Sequence, residues 1–128
     1  GQPQQEEVVV RIEMKNTIEQ PVAAYSASQT EPTPDQKTDM DGKIMLLKQN
    51  PSFRVICVGH SCDLGREEVN ERISRARAEK AKDYLVQQGI EESRISVLGE
   101  GSRYPLVPNT SEKNRRINRR VELLIVEE

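Results

Sequence analysis

The run Phe53 to Val58, FRVICV, is almost continuous in apolar side chains, and a strand of that kind is stable only when both its faces are covered. It has to lie inside a sheet. Gly59 then lets the chain turn, and the charged stretch GHSCDLGREEVNERISRARAEKAKDYL follows from Gly59 to Leu85. Apolar residues recur there at helical spacing, which predicts a helix from about Glu67 to Gln88, with Gly89-Ile90 as a left-handed cap and its apolar contact. A buried strand, a tight loop and a long charged helix form the centre of whatever this chain builds.

Upstream, Thr33-Pro34-Asp35-Gln36 offers an N-cap, a proline at the first helical position, a first-turn acid and a capping-box glutamine. The helix it opens carries Met40, Ile44 and Leu47 on one face and stops at Asn50-Pro51. Val8 to Met14 reads as a strand, Val22 to Tyr25 as at most a short one, and the rest of Asn16 to Pro32 as loop. Ile95 to Leu98 is a further strand, Gly99 to Lys113 a loop, and Arg119 to Val126 (RRVELLIV) the closing strand. This order predicts an α+β fold, an α/β sandwich of βαβαβ type with two helices on one face of a mixed four-stranded sheet. Residues 1–7 read as a tag remnant and polar linker and residues 8–128 as one domain, a piece of a longer precursor.

Composition removes several classes of function. The chain has 128 residues, room for one core, and only 3% aromatics, so that core is aliphatic. Nineteen basic residues against 21 acidic give a net charge of −2, with no global attraction to nucleic acid or anionic lipid. Arg115-Arg116 and Arg119-Arg120 make a local basic patch, but no aromatic residues interleave with it to stack on bases. Cys57 and Cys62 with the single His60 match no zinc spacing, so neither a metal nor a cofactor is expected. Cys57 sits in an apolar strand and Cys62 in the loop beyond it, which favours two free thiols over a disulfide. His60, Cys62 and Asp63 evoke a nucleophile pair, yet neighbours on an extended chain point apart. A histidine that fixes the loop is preferred, and no enzyme is expected.

On the second helix, an advance of about 100° per residue from Val69 gathers Val69, Ile73, Ala76, Ala81, Tyr84 and Leu85 into one arc. Arg77 falls inside it, at about 80°. Asn70 and Ser74 lie on its shoulder, while Arg72, Arg75, Glu79 and Lys82 point away. An inward guanidinium either pairs structurally or waits for an anionic ligand, to which its planar fork offers two parallel hydrogen bonds. The loop Gly59 to Gly65 lies just ahead of this helix and can converge on the same pocket.

These residues, G-H-S-C-D-L-G, then Asn70, Ile73-Ser74, Arg77-Ala78, Tyr84-Leu85, Gly89-Ile90, Ile95, Gly99, Gly101, Pro105 and Asn118 to Glu122, resemble the OmpA C-terminal-like domain. That family includes the peptidoglycan-associated lipoproteins and the stator protein MotB, and the resemblance covers nearly all of Thr33 to Val126. It implies a periplasmic, non-catalytic module that grips peptidoglycan and anchors an outer-membrane or envelope protein to the wall. It also implies the ligand, the diaminopimelate residue of the stem peptide. A loop aspartate takes its ammonium, and the helix arginine, here Arg77, takes its carboxylate.

The aspartate position is held by Cys62, with Asp63 one place later. Loss of a charge-assisted hydrogen bond weakens binding by roughly 10- to 100-fold. Three readings stay open: Asp63 swings into the pocket, Cys62 acts as a thiolate, or the wall ligand differs or is absent. The candidate ligand-binding set is Arg77, Asp63, Cys62, Ser61, Asn70, Leu64 and Arg119. Beside the anchor stands a second reading, an envelope scaffold of the same fold that has lost diaminopimelate binding at Cys62.

Overall fold

The computed structural model describes Tyr25 and residues 29–127. Helix α1 spans Pro34–Gln49 and opens as its sequence dictates: Thr33 Oγ1 accepts from the Gln36 amide at 3.2 Å, and the Gln36 side chain accepts from the Thr33 amide at 2.8 Å. At the other end Arg94 caps it, its Nη2 donating to the carbonyls of Leu47 (2.7 Å) and Asn50 (2.9 Å) and its Nε to Phe53 O (2.9 Å). One cation thus satisfies carbonyls that the helix leaves open, at the end where its dipole favours positive charge.

Strand β1 (Arg54–Gly59) lies between β2 (Ile95–Gly99), to which it runs parallel, and β3 (Val121–Val126), to which it runs antiparallel. The described sheet therefore has three strands, not four. The strand expected over Val8–Met14, and all but the last residue of the one expected over Val22–Tyr25, lie outside the described residues. Helix α2 (Glu67–Gln87) makes the parallel crossover from β1 to β2 and ends at Gly89 (φ 100°), where the Ile90 amide reaches back to Leu85 O. A short helix α3, Glu112–Asn118, takes up the end of the loop expected over Gly99–Lys113 and runs on towards the closing strand. Its signal was local: Ser111 Oγ accepts from the Asn114 amide, Glu112 stands in the first turn, and Arg115 and Arg116 stand in the last.

The core follows the strand period. Val55 and Cys57 of β1 lie opposite Ile125 and Leu123 of β3, and this face is covered by Met40, Ile44 and Leu47 of α1 and Ala78, Ala81 and Leu85 of α2. Cys57 is fully buried and free, and burial pushes its thiol up to about 12, so it is a packing residue.

The buried stripe of α2 differs from the arc of apolar residues. Asn70, Ser74, Arg77, Ala78, Ala81 and Leu85 face inward, whereas Val69, Ile73 and Ala76 are only half-buried. The inward face is turned by about 60° towards the polar shoulder. Glycines explain it. A Cβ on Gly59 would stand 1.7 Å from the Ser74 carbonyl oxygen, and one on Gly99 would stand 2.6 Å from Arg75 Cβ. The helix backbone rests directly on the ends of β1 and β2, with the Ser74 carbonyl over Gly59.

Gly59→Ala should therefore cost about 3 kcal/mol or more, because backbone has to move to admit the methyl group. Gly42→Ala, on the exposed side of α1 with nothing within 4 Å of the new Cβ, should add up to about 1 kcal/mol through helix propensity. Urea denaturation of the two variants beside the parent checks both signs.

Candidate ligand-binding site

Gly59 ends β1 against α2, and the loop beyond it is pinned strand-fashion: the His60 amide donates to Arg120 O (2.8 Å), the Ser61 amide to Gly101 O (2.8 Å) and the Gly101 amide to Ser74 Oγ (2.9 Å). Residues 60–62 are buried, and Asp63 and Leu64 emerge into solvent. Ser61 Oγ turns back on the loop, donating to Cys62 O at 3.1 Å. Asn70 is buried at the start of α2, with Nδ2 free of a partner at hydrogen-bond geometry yet near enough to Glu67 to help lower its carboxyl pKa. The larger cause there is Ser102.

Arg77 has no exposed surface. Its Nε donates to Gln29 O at 2.7 Å and its Nη1 to His60 O at 2.9 Å, and the Tyr25 ring lies 5.0 Å from the guanidinium carbon. Burial holds its pKa down to about 10, with Tyr25 opposing the shift and Arg119 adding to it. It stays charged at neutral pH. Arg119 is its buried neighbour, donating from Nε to Tyr25 O (2.6 Å), from Nη1 to Cys62 Sγ (3.5 Å) and from Nη2 to Glu112 Oε2 (2.6 Å). Cys62, itself buried and free, sits where the loop, α2 and α3 meet.

Asp63 stands clear of Arg77. Its carboxylate takes Arg115 Nε at 3.0 Å, on the solvent side of α3. Of the expected set, the fold gathers Arg77, Arg119, Cys62 and Ser61, buries Asn70 beside Glu67, and leaves Asp63 and Leu64 at the rim. It adds Tyr25, Gln29, Glu112 and Arg115, which the sequence reading did not select. For Glu112 and Arg115 the α3 capping signal was the available clue. His60, Cys62 and Asp63 each reach a different partner, Glu122, Arg119 and Arg115, so the geometry of a nucleophile pair is absent from them. Among the described residues no cluster of His, Cys, Asp or Glu is arranged to hold a metal ion.

Under the loop lies a second charged group. His60 Nε2 is 2.6 Å from Glu122 Oε1, off the line of a straight hydrogen bond, and Arg120 donates to the same oxygen from Nε at 3.0 Å. Burial holds the His60 pKa below its ordinary 6.5, with Glu122 opposing. Burial alone would raise the Glu122 carboxyl, but His60 and Arg120 more than offset it and leave it below 4.5.

The OmpA family model matches residues 25–119. The chain belongs to the OmpA family. Outer membrane porin F of Pseudomonas fluorescens is 34% identical over 70% of this chain and 27% of its own length. Peptidoglycan-binding protein ArfA of Mycobacterium tuberculosis is 37% identical over 62% of this chain and 24% of its own. The chain thus spans about a quarter of each of these relatives. The crystal structure of the peptidoglycan-associated lipoprotein from Burkholderia pseudomallei has the same fold, with a TM-score of 0.76 at 17% identity over 85% of this chain and 98% of that one. In this OmpA-family domain the matched segment begins at Tyr25, the residue that lies over Arg77.

Acidification should destabilise the domain. Both folded pKa values are depressed, so the unfolded state takes up protons first: stability present above pH 6.5 declines below it as His60 titrates, and declines further below 4.5 as Glu122 does. His60 is the only histidine in the chain. His60→Gln should remove most of the loss between pH 7 and pH 5, read as the difference in urea midpoints at the two pH values.

Proposed function

We propose that this domain binds peptidoglycan non-covalently and anchors an outer-membrane or envelope protein to the wall from the periplasmic side, through the diaminopimelate stem peptide. The observation that carries this reading is the convergence of the Gly59–Gly65 loop, Arg77 of α2 and Arg119, the cap residue just past α3, on one buried point at Cys62, in a chain of the OmpA family. Guanidinium groups held rigid by backbone carbonyls are suited to a planar carboxylate. ArfA is named for peptidoglycan binding, which supports the same ligand class.

One observation favours the second reading, an envelope scaffold. Arg77 is fully covered and engaged by Gln29 and His60, and in such a place it can serve the fold alone. Co-sedimentation with diaminopimelate-containing sacculi separates the two. The parent should pellet, and Arg77→Ala and Arg119→Ala, each checked for folding by thermal melting, should leave at least about tenfold more protein in solution, the loss expected for one charge-assisted bond. A folded parent that stays in solution would leave the scaffold standing.

A further inference from the structure

The ion pairs around Cys62 are uneven in burial. Arg119 is 3% exposed, yet the carboxylate on its Nη2 belongs to Glu112, which is 63% exposed. Arg115 is 26% exposed, and its carboxylate partner Asp63 is 46% exposed. Each guanidinium is fixed in the fold and each carboxylate reaches it from the water side, where an ion pair is weakly held. An incoming carboxylate can take the place of Glu112 at little net cost. An incoming ammonium finds the reverse: a cysteine sulfur that already accepts from Arg119, guanidinium groups nearby, and both carboxylates already committed to arginines.

From this we infer that the site reads its ligand through a carboxylate alone and leaves the ligand's amine unread. This rests on the wall-binding reading above and narrows it to a ligand class. A stem peptide whose side-chain amine is acylated, as it is in a cross-link, binds as well as one whose amine is free. The uncharged amide meets a sulfur already taken by Arg119 without the desolvation penalty an ammonium would carry there. Cys62 sets the specificity, and Glu112 holds the carboxylate position until the ligand arrives.

Fluorescence anisotropy with three dye-labelled synthetic stem tetrapeptides tests this on the full chain. The first carries diaminopimelate with a free side-chain amine, the second has that amine acetylated, and the third has a free amine but an amidated side-chain carboxyl. The first two should bind within about twofold of each other and the third at least about tenfold more weakly. Cys62→Asp should shift the preference about tenfold towards the free amine. Glu112→Gln, a change at an exposed side chain that leaves the core untouched, should tighten the first two several-fold. A parent that favours the free amine over the acetylated form by about tenfold, or a Glu112→Gln variant that binds more weakly, overturns the inference and leaves wall binding intact. Binding to none of the three overturns both.

Discussion

The candidate site of this domain depends on one contact between backbones, the approach of α2 at Ser74 to β1 at Gly59. Because no Cβ can occupy that gap, the helix settles with its polar shoulder inward, and Arg77 is carried into the protein instead of along its edge. The same contact sends the chain beyond β1 across the top of the helix, where Gly101 and Ser74 hold it. The position of the loop and the burial of the arginine are therefore one event. A larger residue at Gly59 would loosen both together.

Much of this was legible because the determining forces were local. The Thr33 capping box, the Pro34 start, the Gly89 stop and the apolar run of β1 each depend on side chains within a few residues, and each stands where the pattern placed it. Arg77 was visible for a different reason: a charge within an apolar arc remains anomalous even when the arc is misplaced by part of a turn. The rotation itself was hidden, since it comes from glycines on two strands and periodicity reports only the helix's own residues. Helix α3 was hidden too, having Asn118 as its one buried residue and no apolar stripe to announce it. Asn118 earns its burial through its amide, which accepts from the Leu106 and Val107 backbone and donates to Val107 O and Asn109 Oδ1. Contacts such as Tyr25 with Arg119 join residues 94 apart in sequence, and no local pattern encodes them.

Arginine, more than apolar area, ties the loops of this small aliphatic core together. Arg77 holds Gln29 and His60, Arg94 holds Leu47, Asn50 and Phe53, Arg119 holds Tyr25, and Arg120 holds Asn118 and Tyr104, all through backbone carbonyls. A guanidinium suits this work because its donors lie in a fixed plane and its charge is weakly hydrated, so the cost of burial is offset by several bonds at once. Lysine would bring the charge without the fork. At the site, this construction sets fixed guanidinium groups around a buried cysteine.

Tyr25 and Gln29 precede α1, yet they cover Arg77 and bond to it and to Arg119. A fragment trimmed to begin at α1 would retain every element of the described sheet and every described helix, and would still open two guanidinium groups to water. Among the described residues, the unit that keeps both guanidinium groups covered thus reaches past its helices and strands to Tyr25. Grafting this module onto another protein would require carrying Tyr25 and Gln29 along with the helices and strands.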